Sequence, residues 1–178
     1  MPQSYSDNEA VYSVDMMFAY LNNHKHPILK VNVNDYIDML EYPSWGNPEK
    51  NIMYSAKDVL KNPEKYSNDY KRIINADLSY PIIISNNEII DGIHRLTKAY
   101  LKNKKKIKAY IFSEELMKKF KLADKTENVW NKIDKLQMYE IISLFYERFC
   151  NKKIKGGTID YFQKYKKYKI KYLNMKKN

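Results

Sequence analysis

Pro81-Ile-Ile-Ile-Ser85, Asn86-Asn87, Glu88-Ile-Ile90, Asp91-Gly-Ile-His-Arg95 and Leu96-Thr-Lys-Ala-Tyr100 run without interruption, and their reading decides the fold. The apolar run at 81–85 predicts a strand covered on both faces. Residues 88–90 predict a second strand. Asparagine tolerates positive φ, so Asn86-Asn87 predicts a tight hairpin between the two. Leu96, Ala99, Tyr100 and Leu101 then share a helical face, and Lys104–Lys106 end that helix. Asp91–Arg95 therefore falls where a strand hands over to a helix.

That position suits an anion. A helix N-terminus presents unpaired N–H groups and a partial positive charge. Gly92 lets the backbone turn and approach a ligand closely. Arg95, in the first turn, can give a forked contact to phosphate oxygens. His94 can donate to a phosphate, or act as acid or base near neutral pH. Asp91 can cap the helix, hold a metal-bound water or orient a hydroxyl. A plainer reading stands beside this one: Asp91 is only a cap, Gly92 only a turn residue, and His94 only a packed polar group.

On the N-terminal side, a polar lead precedes a predicted helix over Ser13–Leu21. Ser13 caps it, and Val14, Met17, Phe18 and Leu21 form its apolar face. His24-Lys-His26-Pro27 ends it. Ile28–Val33 predicts a strand, Asp35–Glu41 a short helix, and Tyr42-Pro-Ser-Trp-Gly-Asn-Pro48 a loop. Ser55-Ala-Lys-Asp58 has the form of a capping box opening a short helix that stops before Pro63. Asp69–Asn75 predicts another helix.

On the C-terminal side, Ile107–Phe112 predicts a strand, and Ser113 caps a helix running through Phe120. Asn128–Cys150 predicts the longest helix. Its apolar residues Val129, Ile133, Leu136, Tyr139, Ile142, Phe145 and Phe149 recur at three- and four-residue steps. That face is a candidate for self-association into a homodimer. Gly156-Gly157 breaks the chain, and Tyr161–Lys171 interleaves aromatic residues with lysines.

Composition narrows the classes. The chain has 178 residues and one cysteine, Cys150, so neither an intramolecular disulfide framework nor a Cys-rich zinc module is available. A reducing, cytoplasmic setting is the simplest expectation. No run of roughly 20 apolar residues exists for a spanning helix, and the first residues lack the pattern of a secretory signal. No membrane partner is expected. Net charge is +11, and residues 151–178 hold ten lysines against Asp160, a net +9 that leaves +2 for the first 150 residues. Such a tail can bind nucleic acid. The chain is also rich in Lys, Asn, Ile and Tyr, whose A/T-rich codons fill surfaces with lysine whatever the function.

The segment 81–100 resembles the core of the ParB/sulfiredoxin superfamily. That pattern is a strand, a turn, two apolar residues followed by Asp-Gly-x-His-Arg, and a helix. The resemblance spans about residues 80–112, with Ile107–Phe112 as the next strand and Ile28–Val33 as the first. It implies an α+β (α/β) fold with a small mixed sheet surrounded by helices. Residues 1–27 would form an N-terminal extension packed on the core, 28–124 the domain itself, and 125–178 a C-terminal helical region with a basic tail. The sulfiredoxin branch needs a cysteine where Ile93 stands. Partition proteins carry a different, Arg-rich motif. Asp91–Arg95 resembles the branch that phosphorylates free serine.

The implied function is nucleotide binding, as a phosphotransferase or nucleoside-triphosphate hydrolase that holds phosphates at Gly92, Ile93, His94, Arg95 and Thr97. Asp91, His94 and Glu41 would be its catalytic residues. Glu41 is the nearest carboxylate after the first strand, in a local order that differs from the family's. ATP, ADP or CTP and Mg²⁺ are the implied cofactors, with Asp91 reaching the metal through water and no direct protein ligand. The acceptor would be a small molecule. The competing reading is a ParB-like DNA-binding, even nuclease, module using the basic tail. Three accessory residues complete the set. His24 and His26 flank one lysine and are candidates for a metal pair or a phosphate contact. Trp45 is a candidate for stacking on a base.

Overall fold

Asn86 and Asn87 hold φ of 48° and 61°, the left-handed pair that a two-residue hairpin of native twist requires. The computed structural model describes residues 3–47 and 52–150. In chain order its strands are β1 (Ser4–Ser6), β2 (Ala10–Ser13), β3 (Leu29–Asn32), β4 (Trp45–Asn47), β5 (Ile52–Tyr54), β6 (Ile82–Ser85), β7 (Glu88–Asp91), β8 (Lys106–Phe112) and β9 (Lys121–Asp124). The helices are α1 (Val14–Asn23), α2 (Ala56–Lys61), α3 (Ser67–Asn75), α4 (Ile93–Leu101), α5 (Glu114–Lys118), α6 (Val129–Ile133) and α7 (Met138–Cys150). Val33–Leu40 is a 3-10 helix. The fold class is α+β. No described helix is long and apolar enough to cross a membrane.

Contacts divide the chain into two units. The first, residues 25–118, is built on a four-stranded mixed sheet of order β3-β8-β6-β7. β6 runs parallel to β8, and the other two pairings are antiparallel. All four residues of β6 are buried, as the apolar run predicts. β8 alternates at its start: Lys106 and Lys108 are exposed while Ile107 and Ala109 are buried. Ile82, Ile84, Ile107 and Ala109 meet Leu96 and Ala99 of α4, and Val33, Tyr36 and Leu40 of the 3-10 helix, in one core. Burying a side chain of the size of Leu96 contributes about 1.5–3 kcal/mol. This core anchors α4 and so sets the direction of its N-terminus.

The second unit joins residues 3–24 to 119–150. β2 lies between β1 and β9, antiparallel to both. Ser13 caps α1 by accepting from the Met16 N–H at 3.1 Å. Val11, Val129 and Ile133 form a small core with Leu122, Ala123 and Leu136. The Arg148 guanidinium donates to the carbonyls of Lys119 and Lys121, at 3.0 and 2.5 Å.

Several expectations are met closely. Ser55 and Asp58 form the full capping box, α2 ends before Pro63, and Ser113 Oγ accepts from the Leu116 N–H. Others are corrected. Residues 1–27 were expected as an extension of the core, yet Ala10–Tyr12 pair with Lys121–Asp124, so the N-terminal segment shares a sheet with residues expected at the end of the domain. That pairing moves the boundaries to 24/25 and 118/119. The helix from Ser113 stops at Lys118, because the chain then extends to supply β9. The expected loop 42–48 holds strand β4, since Trp45, Gly46 and Asn47 find partners in Tyr54, Met53 and Ile52.

The expected helix 128–150 is broken between Ile133 and Met138. Glu140 accepts from the Gln137 N–H at 2.7 Å, a side-chain cap that starts α7 afresh. Of the apolar stripe offered for self-association, Val129, Ile133 and Phe145 are buried within the chain, Leu136, Ile142 and Phe149 are half-buried, and Tyr139 is exposed. The basic tail, with Tyr161–Lys171, lies outside the described residues.

Candidate functional site

The turn between β7 and α4 has the geometry its residue types require. Gly92, the residue before the first helical turn, has φ +107°. A Cβ there would lie 2.5 Å from Ile82 Cγ2 and 2.9 Å from Arg95 Nη2. Glycine is thus demanded twice, by backbone conformation and by space. It supplies no side-chain acceptor to the first-turn amides of α4.

Arg95 turns back to Asp91, its Nη2 donating to Asp91 Oδ2. Both side chains are part-buried, at 19% and 29% exposure. The Arg95 Nε–H is buried and has no hydrogen-bond acceptor among the described residues. A buried donor left unmatched costs about 1–3 kcal/mol.

His94 is held by residues that the motif does not contain. Its Nε2 faces Asp69 Oδ1 at 3.5 Å, from the first turn of α3. The Tyr54 hydroxyl donates to Asp69 Oδ2 at 2.7 Å, and Arg72 Nη1 approaches Asp69 Oδ1 at 3.4 Å. The Trp45 indole stacks on the imidazole, ring centroids 4.6 Å apart and planes 18° from parallel. Tyr54 in turn stacks on Tyr66 at 4.3 Å. Burial holds the His94 pKa below its ordinary value, with Arg72 adding to the effect, while Asp69 and Asp91 oppose it. Hydrogen bonding to Asp69 raises the Tyr54 pKa.

The remaining candidates part company with this cluster. Thr97 is fully buried, and its hydroxyl donates to the Ile93 carbonyl at 2.7 Å, so it is a helix-interior residue and not a phosphate contact. Ile93 packs its side chain on the core, leaving only its backbone for a ligand. Glu41 follows the 3-10 helix, largely exposed, and is paired with the Lys57 ammonium. That pairing lowers its pKa, which makes it a weaker proton acceptor.

His24 ends α1, with Nδ1 against the Tyr20 carbonyl at 3.1 Å and its ring stacked on Tyr20. His26 has Nε2 3.0 Å from the Ile111 carbonyl and packs edge-on against Phe112. Each is engaged separately. Among the described residues, no group of three or more His, Cys, Asp and Glu side chains is placed to hold a metal ion. Trp45, expected to stack on a base, spends one face on His94.

Sequence reasoning missed Asp69, Tyr54 and the covering role of Trp45. Asp69 carried one available signal: it lies in the first turn of a predicted helix, three residues before Arg72.

No family model, curated protein or solved structure matches the chain.

Proposed function

We propose that this chain is a ParB/sulfiredoxin-like nucleotide-binding protein that works as a phosphotransferase or nucleoside-triphosphate hydrolase. Phosphate is held at the Asp91–Arg95 turn. The observation that carries the reading is the buried Arg95 Nε–H without an acceptor, three residues after the Gly92 that starts α4. A phosphate oxygen supplies the missing acceptor, and the first-turn amides of α4 add donors of the kind that bind phosphate elsewhere. Asp91 holds the guanidinium in place, which lowers the ordering cost of the contact. Mg²⁺ bound with the nucleotide would neutralise phosphate charge, and Asp91 would be the residue to hold it through water.

The test is a thermal-shift screen of ATP, ADP, CTP and GTP with and without Mg²⁺. Ligand at a hundredfold excess over Kd adds about 2.7 kcal/mol of stability, so binding raises the Tm. Arg95→Ala should abolish that rise while leaving the unliganded protein folded. A rise undiminished in Arg95→Ala would discard the site. The lysine excess in 151–178 favours a second reading, DNA binding. That reading predicts affinity falling steeply with salt and lost on removal of those residues.

A further inference from the structure

We infer that Asp69 is a positioning carboxylate for His94, and that His94 Nδ1 accepts the proton of the hydroxyl or water that attacks the terminal phosphorus. This deepens the nucleotide reading of the same turn and rests on it.

The geometry is that of an oriented imidazole. Asp69 comes from a separate helix, 25 residues before His94, and its Oδ1 faces His94 Nε2 at 3.5 Å. The Tyr54 hydroxyl, from β5, fixes the other oxygen at 2.7 Å. A carboxylate only accepts, so Nε2 carries the hydrogen and Nδ1 carries the lone pair. No described residue donates to Nδ1. Trp45 covers one ring face and restrains the tilt of the plane. The contact is long for a hydrogen bond, as such contacts are before a substrate tightens them.

The chemistry then balances. The acceptor O–H gives its proton to Nδ1 while its oxygen forms a bond to the γ-phosphorus of a nucleoside triphosphate. The bond from that phosphorus to the β,γ-bridging oxygen breaks, and its electron pair leaves with the nucleoside diphosphate. The imidazolium formed lies against the Asp69 carboxylate, which stabilises it, and later gives its proton to water. With water as acceptor the product is inorganic phosphate; with an alcohol it is a phosphate monoester. Glu41, exposed and held low by Lys57, is not needed as the base.

The charged and titratable groups facing His94 are Asp69 and Arg72 of α3, Asp91 of the turn, and Tyr54 through Asp69. Heteronuclear NMR of the ring nitrogens can separate them, because the chain has three histidines. Wild-type His94 should be the Nε2–H tautomer at neutral pH. Asp69→Ala should scramble that tautomer and move the His94 midpoint further down, since an anion that favours the charged ring is gone. Asp69→Asn, with its acceptor oxygen kept, should hold the tautomer better.

In a nucleotide-turnover assay, Asp69→Ala should lower kcat by about 10²-fold or more and keep the nucleotide Tm rise. A dominant Nδ1–H tautomer in the wild type would overturn the inference. So would an unchanged tautomer and midpoint in a folded Asp69→Ala protein. If the wild type binds no nucleotide yet shows the Nε2–H tautomer responding to Asp69, the nucleotide reading fails and the oriented imidazole stands.

Discussion

The Trp45 indole lies almost flat on the His94 imidazole, 4.6 Å between centroids, although 49 positions separate them in sequence. The contact explains why His94 is poorly solvated, at 18% side-chain exposure. Burial is the largest cause holding its pKa below 6.5. Trp45→Ala should therefore move the His94 midpoint up toward 6.5, as read by ring-proton NMR. A midpoint that stays put or falls would show that the indole is not what desolvates the ring.

Stability should depend on pH through the same residue. Its folded pKa lies below the unfolded value of 6.5, so the folded state binds fewer protons in that window. The contribution is fully present above 6.5. It is lost as pH falls through 6.5 toward the folded midpoint, and is flat below. Urea unfolding at about pH 7.5 and about pH 5 should show a smaller acid-side loss in His94→Gln than in the wild type. Equal losses would remove His94 as the source.

Gly92 tolerates no side chain. An L residue in the left-handed region costs about 1–2 kcal/mol, and the Cβ would press to 2.5 Å from Ile82. Gly92→Ala should thus destabilise residues 25–118 by about 2–5 kcal/mol, the sum of that strain and an overpacking cost, read from the denaturation midpoint. In a double-mutant cycle, Ile82→Ala, which removes the Cγ2 nearest that Cβ, should make Gly92→Ala less costly than it is in the wild type. An undiminished cost would place the whole of it in backbone strain.

Much of the local structure was legible because its causes are local. Asn86-Asn87 declares a hairpin through two residues that accept positive φ. Ser13 and the Ser55/Asp58 box declare helix starts through side chains that satisfy amides within one turn. Gly92 declares a sharp bend. The Asp91–Arg95 pair is also local, four residues apart. By contrast, the 128–150 pattern reads as continuous because apolar spacing reports which residues are buried and not whether one helix buries them all. Leu136, between the two helices, packs against a core that includes Val11 of a distant strand.

By itself, then, the amino-acid sequence determined an α+β chain with a strand–turn–helix that bends at Gly92, since turn, cap and periodicity are decided within a few residues. Tertiary structure alone decided that Asp69 and Tyr54 stand behind His94, that Trp45 covers it, that Thr97 is buried and Glu41 lies paired at the surface, and that residues 121–124 pair with 10–12. Those contacts join segments tens of residues apart. Their partners are selected by which elements the hydrophobic core brings together, and no local preference encodes that choice.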